Sequence, residues 1–291
     1  MTGSAEASIA HRQTPAADTA TSSALACPIQ VVSYPATAGR KSPHPPVPEG
    51  GRTLSEQVVF LHGAGKAGVA AWPRQAVVAD PAWIFLDRPA VSDDPDTDCQ
   101  RVLDRLRSHG PGHVVGHSFG GIAVLLAAQQ EPDLVRSVTL LEPACFDLAR
   151  GRDAVEQHIA VMQPVFAVSN DPSVPTRDFS SRFAAAMGSA PPDLPDELLE
   201  ANVARLRAMK PPWGSALNPD VPLPVPTLVL TGDWNPLYEE TALALTDLGA
   251  AHEHLVGFGH RVQDQPGALD RMIRHWDSST ALTRPCAKPG A

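Results

Sequence analysis

Short apolar runs alternate with helical patterns along most of this chain. The runs rich in β-branched residues lie at 28–33, 57–61, 83–86, 113–115, 138–141, 227–230 and 252–256. The helical spacing of apolar residues appears at 98–108, 122–130, 239–248 and 266–277. Short apolar runs bounded by glycine are typical of strands buried on both faces of a parallel sheet. The alternation therefore predicts an α/β fold, with a mostly parallel sheet flanked by helices.

The block 144–222 departs from this pattern. Three helical patterns, at 153–161, 179–187 and 196–209, alternate there with proline-rich turns, and no strand pattern occurs. We interpret 144–222 as a helical cap, inserted into a core formed by 28–143 and 223–278. The stretches 1–27 and 279–291 are predicted to be flexible tails. Ligands bind at the carboxyl ends of the strands in open α/β sheets, so such a cap would cover a ligand site.

Composition narrows the possible partners. The net charge of -9 argues against a nucleic-acid partner, because phosphate binding needs a basic surface. No run of 18 apolar residues and no signal-peptide pattern is present, so we expect no membrane span and a cytoplasmic location. The four cysteines are scattered, which predicts neither a disulfide framework nor a zinc site. A small-molecule partner is expected, and the oligomeric state is left open.

The most informative motif is Gly116–His117–Ser118–Phe119–Gly120, which matches G-x-S-x-G and is extended by Gly121. It follows a short predicted strand and precedes an apolar predicted helix. This strand–turn–helix context holds a serine in a strained turn, where flanking glycines avoid clashes between Cβ atoms. Ser118 is therefore the predicted nucleophile.

A glycine-rich loop, His62–Gly63–Ala64–Gly65, follows the predicted strand at 57–61. An acyl-transfer site needs two backbone N–H groups directed at the oxyanion. One belongs to the residue after the nucleophile and the other to a loop after an earlier strand. We predict that Phe119 and Ala64 supply these two donors.

His260 is the predicted general base. A serine hydroxyl needs a neighbouring base to remove its proton, and histidine titrates in the useful range. His260 follows the last predicted strand and comes after Ser118 in the chain, as the order serine, acid, histidine requires. His252 and His254 lie within that strand, and we interpret them mostly as surface or packing residues.

These motifs together resemble the α/β-hydrolase superfamily over about residues 28–278. They are HGAG at 62–65, GHSFGG at 116–121, LLEPA at 140–144, TGDWNP at 231–236 and GFGH at 257–260. The resemblance implies an eight-stranded, mostly parallel sheet with a cap after the sixth strand. It also implies that the serine nucleophile disfavours dehalogenase and epoxide-hydrolase chemistry, for which the superfamily uses an aspartate.

The acid partner of His260 is the irregular member. The family commonly places it in a G-x-x-D pattern after the seventh strand, where this chain has Asn235. An asparagine carries no charge to stabilise an imidazolium. Glu142, at the end of the sixth strand, is the favoured candidate, because some haloalkane dehalogenases resemble this chain in using an acid there. Asp233 is the alternative, and a site with no charged acid is the third possibility.

We therefore expect hydrolysis of an ester, lactone or thioester through an acyl-serine intermediate, without a cofactor or metal. The alternatives are a lyase, acyltransferase or cyclase that uses Ser118 and His260 as acid–base groups, and a binding protein that has lost turnover. A small to medium apolar substrate is expected. Apolar residues of the cap are candidates either for the pocket wall or for the cap's own core: Met162, Phe166, Phe179, Phe183, Met187, Leu199, Met209 and Trp213.

Overall fold

A computed structural model describes residues 56–64, 67–78, 80–88 and 94–283. The predicted strand at 28–33, the predicted tail at 1–27 and Gly65 of the HGAG loop lie outside the described residues. The last helix continues to Thr283, beyond the core boundary predicted at 278. Within the described part of the chain, no helix combines the length and apolar character needed to cross a membrane.

The described residues contain six strands in one sheet. They are β1 (Gln57–Leu61), β2 (Trp83–Leu86), β3 (Gly112–His117), β4 (Val135–Leu141), β5 (Thr227–Thr231) and β6 (Ala251–His254). Their order across the sheet is β2-β1-β3-β4-β5-β6, and every neighbouring pair is parallel. This confirms the parallel α/β sheet. The predicted count of eight cannot be matched strand for strand, because part of the core lies outside the described residues.

Alternation of side chains along the strands produces two hydrophobic cores, one on each face of the sheet. Val59, Val114 and Leu140 belong to one core. Their neighbours in sequence, such as Val115 and Leu141, belong to the other. Both faces of the central strands are thus buried, which explains why those strands are continuous apolar runs rather than alternating ones.

Within the described ranges, four helices cover the sheet. They are α1 (Pro95–His109), α2 (Gly120–Gln130), α6 (Pro236–Asp247) and α7 (Ala268–Thr283). Helix α2 is buried along nearly its whole length, and it packs with α1 and α6 against one face. Helix α7 covers the other face through Met272 and Trp276. The layers therefore match a sheet with helices on both sides.

Three helices follow β4, as the sequence predicts: α3 (Asp153–Ala167), α4 (Thr176–Ala186) and α5 (Asp196–Ala208). No strand lies between 142 and 226. A small cluster of Val165, Phe179, Leu199 and Val203 forms a core within these helices. Phe179 and Leu199, which the sequence left open as pocket or core residues, are therefore packing residues of the helical block.

Candidate active site

Backbone strain is concentrated at one edge of the sheet. Among the described residues other than glycine, positive φ angles occur at Ser118 (53°), Glu142 (45°) and Asp233 (52°). They lie just past the carboxyl ends of β3, β4 and β5, which are adjacent strands. Such strain persists only where surrounding contacts hold it, and it clusters at functional sites. This edge is therefore the candidate site.

Ser118 forms the sharp turn between β3 and α2. Its N–H donates to the carbonyl of Leu141 at 2.9 Å, and its carbonyl accepts from the N–H groups of Gly121 at 2.9 Å and Ala144 at 3.1 Å. A Cβ atom at Gly116 would lie 2.7 Å from the Cα of Gly121. The turn therefore requires glycine at 116, as the motif predicts.

The loop after β1 lies directly against this turn. A Cβ at Gly63 would come within 2.9 Å of the Cβ of Ser118, so glycine lets the loop approach the serine. Ala64 and Phe119, the two predicted oxyanion donors, directly follow Gly63 and Ser118 in the chain. Neither N–H donates to a carbonyl within the described residues. The role of these two N–H groups as oxyanion donors stays a prediction.

A buried ion pair also contacts the loop after β1. Arg88 Nε donates to Asp98 Oδ2 at 2.6 Å, and both side chains are about 1% exposed. The Nη1 group of Arg88 donates to the carbonyl of His62 at 3.1 Å, and its guanidinium lies 4.9 Å from the centre of the Phe119 ring. Arg88 thereby ties α1, the HGAG loop and the residue after the serine together.

His260 and Glu142 meet at this edge. The Nδ1 atom of His260 lies 3.6 Å from Oε2 of Glu142, and the glutamate side chain is fully buried. Two donors hold the carboxylate: the N–H of Gly232 at 2.6 Å and Nε1–H of Trp234 at 3.0 Å. Donors of this kind favour the ionised carboxylate and fix its direction toward the imidazole.

The His260 ring is held on several sides. It stacks on Tyr238, with ring centres 4.7 Å apart, and its centre lies 4.8 Å from that of the His117 ring. The Nε2 group of His117 lies 2.8 Å from the backbone carbonyl of His260. Because His117 precedes Ser118, the histidine loop is anchored to the serine turn itself. The two predicted catalytic residues are therefore brought to one edge of the sheet.

Burial shifts the pKa of both His260 and Glu142. The desolvating surroundings lower the pKa of His260 to about 4, with a smaller contribution from Arg261. Burial raises the pKa of Glu142 to about 8, against the opposing effect of the hydrogen bonds from Gly232 and Trp234. A neutral imidazole is the form that accepts a proton from a serine. The site therefore favours a base-competent His260 at neutral pH.

The alternative acid does not reach His260. Asp233 is exposed, and its N–H donates to Oε1 of Glu239 at 3.1 Å. Asn235 is the N-cap of α6, where its side chain accepts from the N–H of Leu237 at 3.0 Å. The structure thus brings Glu142 to the histidine and gives Asn235 a structural role.

The sequence does not identify the residues that position Ser118, Glu142 and His260. Trp234 lies within the TGDWNP motif, but its residue type does not indicate a hydrogen bond to Glu142. His117 lies within the turn motif and Arg88 lies shortly after a predicted strand, and neither position indicates these contacts in the sequence. Asn235 followed by Pro236 is a recognisable helix start, and that signal could have explained the asparagine.

A parallel sheet with a strained serine turn, a preceding HG loop and a late histidine defines the class of α/β hydrolases. The sequence profile of the Alpha/beta hydrolase family matches residues 58–271, and this chain belongs to that family. The sequence is similar to "Lipase LipV" of Mycobacterium tuberculosis. The two are 35% identical over 195 residues, which cover 60% of this chain and 70% of the lipase.

Solved structures agree on the fold. The structure of an epoxide hydrolase from metagenomes of hot environments matches with a TM-score of 0.54 and 18% sequence identity. The match covers 78% of this chain and 91% of the epoxide hydrolase chain. A loop variant of a haloalkane dehalogenase from Bradyrhizobium elkanii is also 18% identical. Its TM-score is 0.51, with 81% of this chain and 93% of its own covered. At this identity the likeness establishes the α/β-hydrolase fold only.

Proposed function

We propose that this chain is a serine hydrolase that cleaves a carboxylic ester, lactone or thioester through an acyl-enzyme at Ser118. The observation that carries the proposal is the strained Ser118 turn, which shares one sheet edge with His260 beside a buried Glu142. The arrangement supplies a nucleophile, a base and a group that orients the base. The identity to a lipase adds support for an ester substrate.

In this mechanism Nδ1 of His260 faces Glu142, which leaves Nε2 for the serine. His260 removes the hydroxyl proton as Ser118 attacks the carbonyl, and it then gives that proton to the leaving alcohol. Water next attacks the acyl-serine while His260 takes its proton, and His260 then returns that proton to Oγ of Ser118 as the acyl–oxygen bond breaks and the carboxylic acid leaves. The N–H groups of Ala64 and Phe119 stabilise the oxyanion in both halves.

Among the described residues, Oγ of Ser118 makes no hydrogen bond with His260. Catalytic hydrogen bonds of this kind are often long in free enzymes and shorten when substrate binds. The contact between His117 and the His260 carbonyl ties the histidine backbone to the serine turn, and we expect the hydrogen bond between Ser118 and His260 to form when substrate binds.

The nucleophile separates this chain from its structural neighbours. In the family, dehalogenases and epoxide hydrolases attack with an aspartate, whereas this chain has a serine at the turn. A serine supports an ester-type acyl intermediate rather than an alkyl one. The fold likeness to those two enzymes therefore adds nothing to the choice of substrate.

We infer an apolar group in the substrate from the aromatic residues that lie near His260. The rings of Phe166 and Trp213 lie 5.3 Å apart, and those of Phe146 and His158 lie 5.2 Å apart. Trp213 and Trp234 pack against the cluster that contains Tyr238, on which His260 stacks. This aromatic group thus adjoins the site. An open depression of about 490 Å³ lies elsewhere, on the helical block beside Arg207, and includes none of the predicted site residues.

A fluorophosphonate probe tests the nucleophile, since it reacts with activated serines. We expect stoichiometric labelling of the wild-type chain and none of Ser118→Ala. Ser108→Ala is the matched control, because Ser108 is exposed on α1 and bonds only to its own helix. Labelling that persists in Ser118→Ala, or its absence from the wild type, would refute the proposed nucleophile.

A series of p-nitrophenyl esters of increasing acyl length tests the reaction and the substrate class. We expect turnover with a burst of nitrophenol, and a preference for medium acyl chains over acetate. Labelled but inactive protein would favour the lyase, acyltransferase or cyclase alternative. A flat dependence on chain length would contradict the apolar substrate group while leaving the acyl-serine step intact.

A further inference from the structure

A second Glu–His group lies outside the proposed catalytic site. Glu239 is in the first turn of α6, and His252 and His254 are on β6. Residues two apart on a strand point to the same face, so both imidazoles face the helix. One ligand atom from each of the three residues lies within 4.8 Å of the other two. The fold thus brings together two imidazoles and a carboxylate.

We propose that Glu239, His252 and His254 form a binding site for a divalent cation of the zinc type. Two imidazole nitrogens and one carboxylate oxygen suit Zn²⁺, with the fourth tetrahedral position open to water. The sequence alone predicts no metal, and it favours a surface or packing role for both histidines. Their position beside Glu239 is the new information.

The candidate ligand atoms lie close to one another. Nε2 of His254 lies 2.9 Å from Oε2 of Glu239, and Nε2 of His252 lies 3.7 Å from the same oxygen. The two imidazole rings are 4.5 Å apart between centres. A cation bound at both Nε2 atoms replaces the hydrogen bond of His254 with Glu239 and that of His252 with Thr231 Oγ1. Zn²⁺ bonds of about 2.0–2.2 Å fit ligand atoms spaced this closely.

Two donors orient the carboxylate: Thr231 Oγ1 donates to Oε2 of Glu239 at 3.0 Å, and the N–H of Asp233 donates to Oε1 at 3.1 Å. Thr231 Oγ1 also lies 2.7 Å from Nε2 of His252, a contact that a cation bound at this nitrogen would replace. Thr231 is on β5, next to β6 in the sheet. Partners of this kind fix the direction of a metal ligand and raise affinity.

Accessibility and charge also suit a cation. The side chains of Glu239 and His252 are 21% and 13% exposed, whereas that of His254 is 48% exposed, so solvent reaches the group from one side. The nearby carboxylates of Glu239 and Asp233 make the local charge negative. Neutral imidazoles and carboxylates are the forms that bind metal.

The experiment is a calorimetric titration of the EDTA-treated full chain with ZnCl₂, with the zinc-induced rise in Tm as a second readout. We expect a stoichiometric site in the wild type that is weakened at least tenfold in His254→Gln and in Glu239→Gln. His109→Gln is the matched control, because His109 is an exposed helical histidine paired with Arg105. It should retain wild-type binding.

His260→Ala is the second control, because His260 and His117 could bind zinc in the proposed catalytic site. The proposed site predicts that His260→Ala keeps the stoichiometric binding. No binding to the wild type, or binding that is unchanged in both His254→Gln and Glu239→Gln, would overturn the proposal. Circular dichroism of each variant establishes that lost binding is not lost folding. None of these readouts depends on catalytic activity, so the proposal stands or fails separately from the hydrolase function.

Discussion

Two Glu–His groups flank the same loop, and they differ mainly in burial. Gly232 and Trp234 donate to Glu142, which is fully buried beside His260. Between these two donors, the N–H of Asp233 turns to the other side of the loop and donates to Glu239. Glu239 and its histidines are partly open to solvent. One short loop thus supports two groups of similar composition in different surroundings.

The difference shows how surroundings select among similar side chains. A buried carboxylate aimed at one imidazole orients a base, because few other partners compete for it. A solvent-accessible carboxylate near two imidazoles has room for a cation and its water. Residue types alone do not separate these roles, whereas burial and the number of imidazoles do.

The largest expected effect comes from Glu142→Gln. The substitution keeps the shape but removes the carboxyl group that faces the imidazolium formed when His260 takes the serine proton. We expect kcat for a p-nitrophenyl ester to fall by about 10³- to 10⁴-fold, the scale for losing the acid of such a triad. Glu253→Gln is the matched control, since Glu253 is on β6 and pairs with Arg271. A wild-type rate for Glu142→Gln would exclude it as the acid.

Trp234→Phe tests the donor that points Glu142 at the imidazole. It removes the Nε1–H bond to the carboxylate and keeps an aromatic ring. A hydrogen bond to a charged group contributes about 1.5–3 kcal/mol, so we expect kcat to fall at least tenfold. Trp276→Phe removes the equivalent group from its bond to Thr139 in a distant core. It should lower Tm but leave kcat unchanged, and equal loss of kcat in both variants would argue against a specific role for Trp234.

The pH profile of kcat/KM reports the ionisation of the pair. Burial lowers the pKa of His260, so its neutral form persists below the ordinary histidine range. We expect activity to fall with decreasing pH through an apparent pKa below 6.5. Burial raises the pKa of Glu142 to about 8, so its carboxyl is neutral where His260 titrates in the free enzyme, and Glu142→Gln should leave this acidic limb in place. A limb that moves to lower pH in this variant would mean that Glu142 is ionised in the working enzyme.

The smallest expected effect is on the stability of His254→Gln without metal. His254 is about half exposed, and its bond to Glu239 is at the surface. Such pairs contribute little, so we expect the free energy of unfolding in EDTA to change by no more than about 0.5 kcal/mol. Urea unfolding measures it. A larger loss would show that this group holds the fold even without a cation.

Much of the fold can be predicted from the sequence, because strands and helices differ in the spacing of their apolar residues. Strands β1 and β2 have the predicted bounds, and the glycine turn at Ser118 carries its own signature. The strain at Ser118 is local, so a pentapeptide is enough to predict it. The order of the chain also narrowed the base to His260.

The rest of the site depends on contacts between distant segments. The bond from Trp234 to Glu142 joins residues 92 positions apart, and that from His117 to His260 joins residues 143 positions apart. Neither partner has a local signature, since each bond exists only after the sheet has formed. Glu239, His252 and His254 are not predicted as a group for the same reason: their contacts form only in the folded sheet, and in the sequence they look like surface residues.

The central claim is that Ser118, His260 and Glu142 act as one unit. Its most direct test is the second-order rate of fluorophosphonate labelling of Ser118 in the wild type, Glu142→Gln, His260→Ala and the double variant. Residues that act as a unit are strongly non-additive, so the double variant should label about as slowly as His260→Ala alone. Labelling that slows in the double variant by the full product of the two single effects would contradict the claim.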